Sequence, residues 1–266
     1  GAVEVGPPSL APPPQANSLA VANGRAERAL FGGVYGALAV ALAAMTTENP
    51  SNPPKRARVP SPYLHAARLP EGESVDPRTV IQGKILEIEI GPGRGSFLYE
   101  RANVSPDIAI LGLEVRKKWA QIVDERLAKM GLHGRARSLA EDAKEALPRL
   151  KPDGIFARAY LHFPDPWWKK KHTKRLVMGD LFMKEIHRLL ADDGELFIQT
   201  DVEDRAELYE RQVNDSELFF TKGDQPGSAR IAENPFQART PREHRAIKDG
   251  LPVHRFLWGK KLSATG

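Results

Sequence analysis

The sequence predicts an α/β domain built on a doubly wound, mostly parallel β-sheet. From about residue 84 onward, short apolar runs alternate with segments whose apolar residues recur at helical spacing. A glycine-rich turn separates the first apolar run from the segment that follows it. Alternation of this kind is typical of parallel strands with helices on both faces of the sheet.

The predicted elements follow one another in a regular order. Strands are predicted at 85–90, 107–115, 135–139, 154–163 and 195–200. Helices are predicted at 116–130, 176–190 and 206–213, where apolar side chains recur every three or four residues. Asp192-Asp193-Gly194 is a turn signal that separates the second of these helices from the last strand.

Composition limits the class of protein. The 266 residues include 39 Lys and Arg against 34 Asp and Glu, and 41% of them are hydrophobic, which argues against a wholly disordered chain. Because cysteine is absent, disulfides, Cys-ligated zinc and a cysteine nucleophile are excluded. No apolar run is long enough to span a membrane, and the histidines show no metal-ligand spacing. We therefore expect neither a membrane nor a metal partner.

The first 75 residues differ from the rest. Residues 1–45 are rich in Ala, Gly, Val and Pro, and residues 46–75 combine prolines with a basic cluster. Such segments cannot offset their ordering entropy by burial, so we predict a disordered extension over 1–75 and a folded domain over 76–266. Residues 1–45 could also be translated upstream sequence with Met45 as the start, and they match a signal peptide poorly.

The turn after the first predicted strand reads Glu89-Ile-Gly91-Pro-Gly93-Arg-Gly95. In a doubly wound sheet this turn lies at the carboxyl ends of the strands, beside the crevice in which ligands bind. Its third glycine comes one residue too early for a dinucleotide-binding pattern, and an acid before the turn would repel a phosphate. Glu89 suits a cationic ligand without phosphate, such as S-adenosylmethionine.

Two further acids follow later strands. Glu114 ends the second strand, where a carboxylate can accept both ribose hydroxyls of a nucleoside cofactor. Asp142 follows the third strand and could hold an adenine amino group. Each acid alone is as easily a solvated strand end, but together with Glu89 they favour a nucleoside cofactor.

An acidic and basic segment ends the fourth strand. Pro164 and Pro166 fix φ on either side of Asp165 and leave it little freedom. Residues 169–175 then carry six potential cations directly behind two tryptophans. Aromatic faces for bases beside cations for phosphates are the components of a nucleic-acid site. The alternative is a basic turn that enters a helix with a structural tryptophan.

These residues together resemble the bacterial-type tRNA (guanine-N7)-methyltransferases. Residues 162–175 are close to the family signature F-P-D-P-W-x-K-x-[RK]-H-x-K-R. The glycine turn, Gly112-Leu-Glu114-Val, Thr200-Asp201 and Thr240-Pro-Arg-Glu243 complete the pattern over about 80–258. The resemblance implies a Rossmann-like class I methyltransferase fold, S-adenosyl-L-methionine as cofactor and tRNA as substrate. We expect a cytoplasmic enzyme that acts as a monomer or a homodimer.

The resemblance also implies roles for individual residues. The implied cofactor contacts are Glu89, Gly91, Gly93, Gly95, Glu114, Asp142 and Asp165. The implied tRNA contacts are Lys169, His172, Arg175, Asp201, Thr240, Pro241, Arg242 and Glu243. Asp165 is the implied catalytic residue. Pro241 departs from the family pattern, and we expect it to interrupt the T-x-x-E segment.

The implied chemistry needs no general base. Guanine N7 carries an in-plane lone pair and no proton, and the ring becomes positively charged when it is methylated. Catalysis can therefore consist mostly of in-line alignment and a negative environment for the ring. A rigid Asp165 fits this role and can also accept hydrogen bonds from guanine N1–H and N2–H₂.

Two other functions are compatible with the same features. A methyltransferase of this fold could act on an exocyclic base amine or a small molecule, since P-D-P-W loosely resembles the N-P-P-Y loop of amino-methylating enzymes. A non-catalytic RNA-binding accessory subunit could retain the fold. In that case we would expect the acids that bind the cofactor to be replaced by other residues, yet Glu89, Glu114 and Asp142 are all present.

Overall fold

Eight strands form one sheet in the computed structural model, which describes residues 62–164 and 178–262. The strands are β1 Ile85–Ile90, β2 Ile108–Leu113, β3 Ala136–Leu139, β4 Phe156–His162, β5 Leu190–Thr200, β6 Phe219–Thr221, β7 Arg230–Ile231 and β8 His254–Lys260. The helices are α1 Ser96–Val104, α2 Lys117–Lys129, α3 Ala143–Ala146, α4 Asp180–Leu189, α5 Glu203–Asp215 and α6 Pro241–Lys248. Short 3-10 turns lie at Pro77–Thr79 and Leu147–Arg149.

The strand order confirms the predicted doubly wound, mostly parallel sheet. The order is β3-β2-β1-β4-β5-β8-β6, with β7 also paired to β8. Strands β1 to β5 are parallel to their neighbours in this group, and β8 is antiparallel to β5, β6 and β7. The direction of winding reverses between β1 and β4. In open α/β sheets, ligands bind beside the carboxyl ends of the strands at this switch point.

Helices cover both faces of the sheet, and each face has its own core. Leu98 of α1 and Val123 of α2 belong to one buried cluster. Ile186 of α4 and Tyr209 of α5 belong to another. Successive strand residues divide between the two clusters, because side chains alternate across a β-sheet.

The predicted turn at 192–194 lies inside a strand rather than between a helix and a strand. Strand β5 pairs with β4 at Leu190 and again from Glu195, and the register shifts between these points. Residues 191–194 therefore form a bulge within β5. The helix predicted at 176–190 is observed as α4 from Asp180, and residues 176–177 lie outside the described range.

Residues 66–75 belong to the folded domain. Leu69 and Val75 are buried, and Val75 forms a parallel bridge with Leu150. Arg68 and the backbone N–H of Leu69 both bind the carboxylate of Glu141. The predicted boundary at residue 76 is therefore too late, because a linker-like composition concealed two apolar anchors. The extension predicted before residue 62 lies outside the described residues and stays a prediction.

Three glycines shape the turn between β1 and α1. Gly91, Gly93 and Gly95 have φ values of +72°, +55° and +73°, in the left-handed region that favours glycine. A Cβ on Gly95 would lie 2.2 Å from Cγ1 of Val123 in α2, whereas a Cβ on Gly91 would meet nothing within 4 Å. Gly95 is therefore required both for its backbone conformation and for the packing of α1 against α2.

We expect Gly95→Ala to destabilise the protein more than Gly91→Ala. Both changes place a side chain in the left-handed region, at a cost of roughly 1–2 kcal/mol. Gly95→Ala adds a steric clash with Val123, which costs about 1–3 kcal/mol more in a packed core. Urea unfolding without ligand measures both free energies, and equal losses would contradict the close contact between the turn and α2.

Candidate active site

The carboxyl ends of the parallel strands meet at one edge of the sheet, and the predicted acids lie along it. Glu89 is the penultimate residue of β1, Glu114 directly follows β2, and Asp142 comes three residues after β3. Asp201 directly follows β5. The structure therefore brings these four predicted site residues to the edge that carries the glycine turn.

Glu89 is a fully buried carboxylate with one oxygen unpaired. Its Oε1 lies 2.7 Å from Nδ1 of His162 on the neighbouring strand β4. Its Oε2 has no hydrogen-bond partner among the described residues. Two residues further on, the position of a Cβ on Gly91 is open space. A buried carboxylate oxygen without a donor gains strongly from a cation, so this arrangement fits the amino group of S-adenosylmethionine.

Glu87 lies two residues before Glu89 on the same face of β1, but several donors bind its carboxylate. It accepts hydrogen bonds from Arg101 at 2.7 and 2.8 Å, from the Tyr160 hydroxyl at 2.9 Å and from Arg158 at 3.1 Å. Burial lowers the pKa of Arg101, but hydrogen bonding and charge interactions with Glu87 and Tyr160 together outweigh burial, so the pKa is raised. Burial and the charge of Glu87 raise the pKa of Tyr160 well above its ordinary value. Glu87 thus has two arginines as counterions, whereas no arginine of the described part of the chain binds Glu89.

Glu114 is buried and holds the glycine turn. Its Oε2 accepts the backbone N–H of Gly93 at 2.9 Å, and its Oε1 accepts the backbone N–H and Nε of Arg116 at 2.9 and 3.0 Å. A longer bond of 3.4 Å joins Oε2 to Nη2 of Arg116. These bonds use the acceptor capacity of a carboxylate. For Glu114 to bind ribose as predicted, the half-exposed Arg116 side chain has to give up at least one of its hydrogen bonds to the carboxylate. The ribose contact stays a prediction.

Asp142 and Glu141 are adjacent acids with different environments. Asp142 is partly exposed and caps α3, where its Oδ1 accepts the backbone N–H of Lys144 at 3.0 Å. Glu141 is buried and binds Arg68 through both oxygens. Sequence reasoning missed Glu141, because two adjacent acids carry no signal that says which one is buried. The adenine contact predicted for Asp142 stays a prediction.

Asp201 and Arg242, predicted as separate tRNA contacts, form a bidentate ion pair. Both oxygens of Asp201 accept from Arg242 at 2.7 Å. The Arg242 guanidinium also lies 5.2 Å from the ring centroid of Phe163, directly after β4. Phe163 has a φ of +44°, a strained conformation for a bulky side chain that its surroundings must maintain. Any contact between Arg242 and a phosphate must therefore compete with Asp201.

Thr240 and Pro241 build the start of α6. The Thr240 side chain caps the helix by accepting the backbone N–H of Glu243 at 3.1 Å, and Pro241 occupies the first turn. Proline is favoured at this position, so Pro241 begins the helix instead of interrupting the T-x-x-E segment. The same spacing is a capping signal that sequence reasoning missed.

Glu243 is fully buried and hydrogen-bonded within the protein, and its predicted contact with a tRNA stays a prediction. Its Oε1 accepts two hydrogen bonds from Arg255 of β8 at 3.0 and 3.1 Å. Gln199 of β5 and Asn234 bind its Oε2 at 3.2 and 3.0 Å. Glu243 therefore anchors α6 to the sheet, and its neighbour Arg242 faces the edge.

The remaining predicted site residues lie outside the described ranges. They are Asp165, Lys169, His172 and Arg175. Their roles stay predictions. Within 62–164 and 178–262, no group of three or more His, Cys, Asp or Glu side chains could hold a metal ion. No helix in the same part of the chain is long and apolar enough to cross a membrane.

The doubly wound sheet, its glycine turn and the unpaired acid beside the turn define a class of nucleoside-cofactor proteins. A family model described as "Putative methyltransferase" matches residues 83–256, from just before β1 into β8. The match covers the glycine turn, every acid described above and the basic segment after β4. The class is therefore that of the methyltransferases.

Three relatives share the same name, tRNA (guanine-N(7)-)-methyltransferase. The protein from Anaeromyxobacter dehalogenans is 39% identical over 176 residues, which cover 65% of this chain and 84% of the relative. The relative from Myxococcus xanthus is 33% identical, with 64% and 81% covered. The relative from Prochlorococcus marinus (strain NATL1A) is 30% identical, with 65% and 81% covered. The chain belongs to the tRNA (guanine-N7)-methyltransferase family.

We expect Glu243→Ala to cost far more stability than Asp201→Ala, although both changes remove a carboxylate that binds an arginine. Without Glu243, the nearly buried Arg255 loses its counterion, at a cost of about 3–5 kcal/mol. The Asp201 pair is partly exposed and is worth about 1 kcal/mol or less. Guanidinium unfolding measures both losses. A small loss for Glu243→Ala would contradict its role as the anchor of α6.

Proposed function

We propose that this protein transfers a methyl group from S-adenosylmethionine to N7 of a guanine in tRNA. Family membership supports the reaction and the substrate class, because the relatives carry that name. The geometry of the cofactor turn supports the cofactor independently. Oε2 of Glu89 is buried and has no partner among the described residues, and there is open space beside Gly91. This arrangement suits a cationic group.

The observation that carries the proposal is the contact between Glu89 and His162. It joins the cofactor turn, at 2.7 Å, to the strand that runs into the F-P-D-P-W segment. Asp165 follows His162 by three residues, and three residues of extended chain span at most about 11 Å. We infer that Asp165 and the cofactor turn serve the same cleft.

The cofactor is held by side chains of three strand ends. Glu89 binds the ammonium group, Glu114 the ribose hydroxyls and Asp142 the adenine amino group. Gly91 and Gly93 allow the backbone to approach the ligand closely, since neither has a side chain to exclude it. When bound, S-adenosylmethionine supplies an electrophilic methyl group.

The substrate guanine is positioned rather than deprotonated. Its N7 has a free lone pair, so the protein needs no general base at that atom. Asp165 accepts hydrogen bonds from the guanine N1–H and N2–H₂ and provides negative charge near a ring that becomes positive. Alignment and preorganised charge of this kind supply most of the rate enhancement.

The tRNA backbone is held by the cations after β4. Lys169, His172 and Arg175 contact phosphates, and Arg242 adds a cation at the same edge once a phosphate replaces Asp201. We also propose that the enzyme acts in the cytoplasm as a monomer or a homodimer.

Incubation with labelled S-adenosylmethionine and unmodified tRNA is expected to yield 7-methylguanosine, detected by nucleoside analysis. Asp165→Ala is expected to lose most of this turnover while circular dichroism and thermal unfolding stay unchanged. Asp153→Ala is the matched control, because Asp153 is an exposed acid that precedes β4 at the opposite edge of the sheet. A product methylated on an exocyclic amine would refute the proposed reaction, and near wild-type turnover of Asp165→Ala would refute its role.

Lys169→Ala is expected to weaken tRNA binding and to reduce the slope of log K against log salt by about one unit, because one phosphate contact is lost. Lys184→Ala removes an exposed cation from α4 and should leave the slope unchanged. Filter binding at several salt concentrations measures both slopes. An unchanged slope for Lys169→Ala would count against the phosphate contact.

A further inference from the structure

Glu87 and Glu89 are equally buried on one face of β1, yet only Glu87 is fully compensated. Two arginines and a tyrosine hydroxyl bind Glu87. Within 62–164 and 178–262, Glu89 has a single partner, His162, and its Oε2 is left without a donor. Buried carboxylates are normally bonded at both oxygens. The incomplete pairing of Glu89 therefore needs an explanation that Glu87 does not.

The surroundings of His162 determine which ring nitrogen carries the proton. Its ring lies between Phe97, Tyr160 and Phe197, with centroids at 4.3, 5.7 and 5.7 Å. Its Nε2 is buried and has no partner among the described residues. A proton on Nε2 would be an N–H without an acceptor, which costs more than an unused lone pair in this apolar setting. The proton therefore resides on Nδ1, which donates to Oε1 of Glu89.

We propose that His162 is a positioning residue for cofactor binding, an inference that rests on the proposed function. By donating one hydrogen bond from Nδ1, it fixes the orientation of the Glu89 carboxylate and leaves Oε2 for the ammonium group of S-adenosylmethionine. A donor that makes a single hydrogen bond to the carboxylate is required at this place. An arginine, as used at Glu87, would cancel the negative charge that attracts the ammonium group and would occupy both oxygens.

Two substitutions separate this role from simple ring packing. His162→Phe keeps an aromatic ring among Phe97, Tyr160 and Phe197 but removes the donor. His162→Asn loses the ring but keeps a donor, because its amide nitrogen is bonded to Cγ, as Nδ1 is in histidine. A positioning role requires asparagine to function better than phenylalanine, and a packing role requires the reverse.

The experiment measures calorimetric binding of two ligands to the full chain. S-adenosylhomocysteine carries the ammonium group, and 5′-methylthioadenosine lacks the whole amino-acid portion. We expect His162→Phe to bind S-adenosylhomocysteine about tenfold or more weakly, because a charge-assisted bond is disturbed. Its affinity for methylthioadenosine should stay within about twofold of wild type. His162→Asn should retain most of the affinity for both ligands.

Several outcomes would overturn the inference. They are unchanged binding of S-adenosylhomocysteine by His162→Phe, an equal loss for both ligands, or a larger loss for His162→Asn. If the wild-type protein binds neither ligand, the proposed cofactor itself is wrong, which is a distinguishable result. Nitrogen-15 NMR of the wild-type histidines provides a test that needs no folded variant. A proton on Nε2 of His162, with Nδ1 bare, would refute the donor role.

Discussion

The central strand β1 carries two carboxylates into one buried face, and the rest of the site depends on how each is compensated. Arg101 binds Glu87 and also donates to the carbonyl of Phe236 at 2.8 Å, so the inner carboxylate ties α1 to the segment before α6. Glu89, two residues nearer the edge, is bound among the described residues by His162 alone. The same residue type is therefore structural within the sheet and available for a ligand at its edge, because only one of the two is surrounded by arginines.

In helix α6, too, a buried structural residue lies next to a residue that is exposed at the edge of the sheet. Glu243 is buried and bound by Arg255, whereas Arg242 lies at the edge, bound to Asp201 and beside Phe163. Its buried residue holds the helix in place, and its exposed residue contributes to the surface around the candidate site.

The features that could be predicted from sequence are those with local signals. The apolar runs of β1, β2 and β4, the spacing of the glycine turn and the acids at strand ends all follow from short stretches of chain. The burial of Glu243 could not be predicted, because its partners Gln199 and Arg255 lie 44 and 12 residues away. The anchors Leu69 and Val75 were missed because their proline- and charge-rich neighbourhood resembles a linker.

The position of β8 has a consequence for synthesis of the chain. Among the elements of the described residues this strand comes last in the sequence, yet it lies inside the sheet between β5 and β6, and its Trp258 is fully buried. Until residue 260 has left the ribosome, the backbone of β5 has no strand to pair with on the side that β8 occupies. Nascent chains thus pass through a long aggregation-prone interval, and shielding by a chaperone during translation should raise the yield of folded protein.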